Sequence, residues 1–89
     1  MTGAVDMEDL LVNVEVPSIQ ENYDIFVPSR LQIAKLSDVL ANGVRELTNG
    51  RYQKSGREML MLLDPDLLLD PKKTIEDYHI ANGARLMLL

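Results

Sequence analysis

The chain lacks cysteine and tryptophan and has one histidine, one phenylalanine and three tyrosines among its 89 residues. Without cysteine there are no disulfides, no thiolate zinc sites and no iron–sulfur ligation, which fits a cytoplasmic protein. Aromatic residues make up 4% and hydrophobic residues 46%, so leucine, valine, isoleucine and methionine must build the core. No apolar run approaches the ~18 residues of a membrane span, and direct membrane insertion is not expected. The opening MTGAVDMEDL has no basic region before an apolar run, so it is not a secretory signal. Basic residues are in deficit, and the net charge of −5 argues against a nucleic-acid partner. Gly43, Gly50, Gly56 and Gly83 match neither a P-loop nor a dinucleotide fingerprint.

What is present suits one small domain. A chain of this length buries roughly 60–65% of its unfolded surface, enough for one core and little for an enclosed catalytic cavity. Residues 1–9, with Asp6, Glu8 and Asp9, read as a flexible, solvated lead-in; the domain is expected over 10–89. In LLVNVEV, Val12, Val14 and Val16 alternate against Leu11, Asn13 and Glu15, the period of a half-buried strand. PSIQEN has hairpin-loop length. YDIFVP alternates again, with Tyr23, Ile25 and Val27 on one face, and Pro28 ends the strand or confines it to an edge.

From Ile33 the period changes. Ile33, Leu36, Leu40, Val44 and Leu47 recur every three or four residues, widened by Val39 and Ala41, which predicts an amphipathic helix of about four turns. Asn49 and Gly50 tolerate the left-handed backbone that ends a helix. Gly43 inside the helix marks either a close approach to the sheet or a tolerated weakness. MLMLL (59–63) and RLMLL (85–89) are strands apolar on both faces, and LLL between two Asp-Pro turns is a shorter one. The order is strand, strand, helix, strand, short strand, strand. It predicts an α+β fold: a sheet of four to five strands with one long helix packed across it.

Candidate chemistry is sparse. His79 has no second ligand beside it, and a lone histidine is better read as structural or solvated. Asp64, Asp66 and Asp70 adjoin prolines and suit turns better than a calcium loop. Arg45, Arg51, Lys54 and Arg57 form a local basic patch, read as a solvated loop or as a secondary contact for an acidic partner. No catalytic, cofactor or metal residues are assigned, and an enzyme is not expected.

TIEDYHI, followed by an Asn-Gly turn and a terminal apolar strand, resembles the T-L-x-D-Y-x-I segment of ubiquitin-like proteins. Thr74, Ile75, Asp77, Tyr78 and Ile80 fill that pattern. YDIFVPSRLQIAKL further resembles the helix entry of the YukD/EsaB family, small bacterial ubiquitin-like proteins associated with type VII secretion. The resemblance implies a ubiquitin-like β-grasp fold whose sheet is mixed, with the first and last strands parallel at its centre. It implies a structural role for Tyr78, its hydroxyl bonded to backbone near Asp70. Asn82-Gly83 is expected to form a tight turn.

Conjugated ubiquitin-like proteins and sulfur carriers thread a Gly-Gly tail into an activating enzyme. This sequence closes on LMLL, so a binding role is expected; the alternatives are a carrier without its tail and an interaction domain of a larger protein. If Leu60 and Leu62 face the helix, then Met59, Met61 and Leu63 face away, and if Leu86 and Leu88 face it, Met87 and Leu89 face away; Met61, Leu63, Met87 and Leu89 are the expected protein-binding patch. That is where ubiquitin carries its main recognition patch. The expected partner is a protein, such as a cytoplasmic or membrane component of a secretion apparatus, or a second copy in a homodimer.

Overall fold

The computed structural model describes residues 9–89; the lead-in expected over 1–9 lies outside the described residues except for Asp9, which opens the first strand. Strands β1 (Asp9–Val16) and β2 (Glu21–Pro28) form an antiparallel hairpin in which Val12 faces Ile25 and Val14 faces Tyr23. A 3-10 turn at Pro17–Ile19 joins them, closed by Gln20 in the left-handed region. Helix α1 (Ile33–Leu47) follows, then β3 (Leu60–Leu62), β4 (Leu67–Leu68) and β5 (Arg85–Leu88). The sheet order is β2-β1-β5-β3-β4. Strand β5 lies parallel to β1 and antiparallel to β3.

The core sits between α1 and one face of the sheet. Alternation on the strands supplies Val12, Val14, Val16, Leu60, Leu86 and Leu88, and α1 supplies Ile33, Leu36, Leu40, Ala41 and Val44, all buried. Two residues on the expected apolar stripe of α1 stay outside it: Val39 is 47% and Leu47 65% exposed. The sheet ends at the edge strand β2, and among the described residues no further strand lies beyond it to cover them.

Gln32 makes no side-chain cap at the start of α1. The 70–74 turn does that work instead: the Lys73 carbonyl accepts from Ile33 N–H at 2.7 Å and the Pro71 carbonyl from Ala34 N–H at 3.0 Å. Two of the helix's unpaired first-turn donors are thus satisfied by tertiary contact. At the other end Thr48 donates its hydroxyl to the Val44 carbonyl, and Gly50 N–H reaches the Arg45 carbonyl with φ +85 at the glycine. Among the described residues no helix is long and apolar enough to cross a membrane.

Candidate protein-binding surface

Among the described residues, the sheet face opposite α1 carries apolar surface without a covering layer. Met61 and Met87 are direct cross-strand partners. Side chains directly opposite each other in an antiparallel pair lie on the same face, and the neighbours Leu60 and Leu88 are buried against the helix. The methionines therefore point outward, and both are half-buried. Beyond the end of β3, Met59 and Leu89 exchange backbone hydrogen bonds of 3.1 and 2.9 Å, which continues the same face with Leu89 47% exposed. At the other end Leu63 N–H donates to the Arg85 carbonyl at 2.9 Å, so the half-buried Leu63 closes the row.

The structure extends the expected patch to Leu68 and Met59. Leu68 on β4 is the register partner of Met61 and is 50% exposed, and Met59 is 49% exposed. Pairing was the missing information for Leu68, because a two-residue strand has no period from which to read a face. Met59 belonged to the outward set by alternation alone.

A polar strip borders this surface on the β1 side. Arg85 donates to Glu15 through Nε at 3.1 Å and through the guanidinium terminus, and that carboxylate pushes the guanidinium further up. Asn13 donates to Asn22 at 3.1 Å and to Asp24 at 3.0 Å. Ion pair and amide network mark the edge of the apolar surface.

Two basic residues of the 45–57 region reach acids on different elements. Arg51 pairs with Glu21 at 3.0 Å, and Lys54 pairs with Asp38 on α1, a contact that holds the Asp38 carboxyl below its ordinary range. Two of the four cations are thus already matched to acids. The segment itself is built around Glu58, which accepts from the Ser55 and Gly56 N–H groups at 2.6 and 3.1 Å and from the buried Tyr52 hydroxyl at 3.2 Å.

Tyr78 and Gly83 hold the approach to β5. The Asp70 N–H donates to the Tyr78 hydroxyl at 2.7 Å, and Lys73 stands over the ring at 5.5 Å. Gly83 takes φ +86, and its N–H donates to the Leu11 carbonyl at 2.8 Å while Leu11 N–H donates to the Asn82 side chain at 2.8 Å. His79 is exposed, with φ 55, and ends the short 3-10 turn Glu76–Tyr78. Among the described residues no group of three or more histidines and carboxylates is placed to hold a metal.

No protein-family model and no curated protein matches the chain. Solved structures do. The ubiquitin-like domain of the Mycobacterium tuberculosis type VII secretion system protein ECCD1 superposes with a TM-score of 0.73 at 13% identity, over 93% of this chain and 99% of that one. A ubiquitin-like domain of an Arabidopsis thaliana protein gives 0.61 at 16% identity, over 100% and 84%. A chain of the MycP5-free ESX-5 inner membrane complex gives 0.67 at 18% identity, over 92% of this chain and 21% of that one. At these identities the likeness establishes the ubiquitin-like fold.

Proposed function

We propose that this chain is a non-conjugated ubiquitin-like accessory protein of a bacterial type VII secretion system, of the YukD/EsaB kind, acting in the cytoplasm by binding a protein. One observation carries the reading: Met59, Met61, Leu63, Leu68, Met87 and Leu89 share one sheet face across β4, β3 and β5, with no covering layer among the described residues. Exposed apolar patches on small domains mark interaction surfaces. Methionine adapts to varied partners because its side chain is unbranched and polarisable. The superposition on ECCD1 supports the secretion context, as does the helix-entry sequence YDIFVPSRLQIAKL. A second copy is the competing occupant of the same face, since an apolar surface can be self-complementary.

Each outward side chain covered by a partner contributes roughly 1.5–3 kcal/mol before the entropy of association is subtracted. The test is Met61→Ser with Leu63→Ser, compared with Arg51→Ala and Lys54→Ala in pull-downs from host lysate and in light scattering. The serine variant should keep its fold and lose its partner or its dimer. The basic-loop variant should change little. A folded serine variant that retains every partner and its oligomeric state removes this face from consideration.

A further inference from the structure

Strands β3 and β5 divide their apolar residues by type as well as by face. Leu60, Leu86 and Leu88 turn inward and are buried against α1. Met59, Met61 and Met87 turn outward, Met59 exposed and the other two half-buried. These three are all the methionines among the described residues, so none of those lies in the core. Leucine would serve either face as an apolar side chain. What sets the outward group apart is its thioether sulfur.

The three thioethers are neighbours. Met59 and Leu89 exchange both of their backbone hydrogen bonds. Two residues along, Met61 and Met87 are therefore again a hydrogen-bonded pair, with Cα atoms about 5.5 Å apart. Met59 is the diagonal neighbour of Met87, within reach of a long side chain. The chain has no cysteine, so a two-electron oxidant meets no thiol, and exposed methionine is the residue it oxidises first.

Oxidation turns the flexible apolar side chain of methionine into a polar one. The thioether lone pair takes one oxygen from hydrogen peroxide: the S–O bond forms, the O–O bond breaks, the proton passes to the departing oxygen and water leaves. Sulfur gives up two electrons and the peroxide gains them. Two thiols of a methionine sulfoxide reductase return those electrons, forming a disulfide and water. The core between sheet and helix consists of valine, leucine, isoleucine, alanine and one tyrosine, so the change leaves its packing alone. We propose that Met59, Met61 and Met87 are a reversible oxidation site for peroxides, whose sulfoxides make the outer sheet face polar while the fold is kept. One consequence rests on the binding role proposed above: oxidation of the free chain closes this face to its protein partner, and the reductase reopens it.

The experiment treats the full chain with hydrogen peroxide at neutral pH and reads each site by peptide mass spectrometry, beside N-acetylmethionine amide. Met59, Met61 and Met87 should each gain one oxygen at a rate within about tenfold of the free amide, because susceptibility follows exposure. The amide resonances of Leu36, Leu40 and Val44 in α1 and the urea midpoint should stay as they were. Retention on a phenyl resin should fall, and methionine sulfoxide reductase with dithiothreitol should restore it. The triple variant Met59→Leu, Met61→Leu and Met87→Leu conserves side-chain volume and keeps Met1 and Met7. Its retention should be the same with and without peroxide.

The proposal fails if Met61 or Met87 resists peroxide in the folded chain, or if oxidation shifts the helix amides and lowers the urea midpoint. It fails too if retention does not change, or if peroxide weakens retention of the leucine variant equally. For docking, the readout is the partner or homodimer that Met61→Ser with Leu63→Ser loses. Sulfoxidation should weaken that contact about tenfold or more, the scale of one buried polar group left unpaired, and the leucine variant should keep it after peroxide. If the serine variant loses its partner and the sulfoxidised chain keeps it, oxidative control is overturned and the binding role stands. If the serine variant keeps every partner, the binding role falls, and the mass spectra and resin retention decide the oxidation site by themselves.

Discussion

Three side chains do work that no neighbour could share. Burial pushes the Tyr52 phenol up to about 12, with the Glu58 charge and hydrogen bond adding to it. A raised folded value means that this stabilisation is complete below the unfolded value of about 10 and is lost as pH rises toward 12. Denaturant midpoints should therefore fall across that window, and Tyr52→Phe should flatten the fall. Burial pushes Glu58 up as well, but hydrogen bonds from Ser55 and Tyr52 outweigh it and hold the carboxyl below its ordinary range. The sign is opposite: its contribution is present above the unfolded value of about 4.3 and is lost as pH falls through the folded value. Glu58→Gln should lose about 1–3 kcal/mol at neutral pH and show a shallower acid limb, read from thermal melts at pH 7 and pH 3. Tyr78→Phe leaves the Asp70 N–H without its 2.7 Å partner. Because that bond lies near the surface, the loss should be about 1 kcal/mol, measured by urea unfolding.

At the scale of elements, two glycines make opposite predictions from the same residue type. Gly43 lies mid-helix with open space around its missing Cβ. Gly43→Ala should therefore stabilise the protein by about 0.5–1 kcal/mol, seen as a raised urea midpoint. Gly83 also has open space, but its φ of +86 is a conformation that a β-branched residue resists. Gly83→Val should destabilise by about 1–3 kcal/mol and loosen the pairing of Leu11 with the Asn82-Gly83 turn, visible as faster amide exchange at Leu11. The reading of Asn49-Gly50 as a helix stop and of Asn82-Gly83 as a turn needed only local chemistry, since both follow from which residues tolerate positive φ.

For the whole molecule, the two faces of the sheet should respond differently to the same change. Leu60→Ser and Leu86→Ser should each remove at least about 2 kcal/mol, because those side chains fill the core between sheet and helix. Met61→Ser should alter the unfolding midpoint by about 1 kcal/mol or less, because its side chain lies on the uncovered face. Circular dichroism melts of the three variants test the facing directly. A large loss for Met61→Ser with little for Leu60→Ser would reverse the assignment of the two faces.

Several features were determined by the sequence alone, because they depend on period and composition. The alternation of Val12, Val14 and Val16, the helical spacing from Ile33 to Val44, and the apolar runs at 59–63 and 85–89 specify strands, a helix and their order. The α+β ubiquitin-like architecture follows once the TIEDYHI segment is placed in that order. Contacts between distant segments came only with the tertiary structure. A period can state that Val39 and Leu47 belong to an apolar stripe, but not that the sheet ends before it reaches them. A two-residue strand has no period at all, so the place of Leu68 beside Met61 follows only from register. Nor can a period show that Arg51 and Lys54 pair with Glu21 and Asp38, residues far from them along the chain. The start of α1 has no cap in its own sequence because the carbonyls that satisfy it belong to Pro71 and Lys73. Periodicity reports which side of an element is apolar, and only packing decides whether another element covers it.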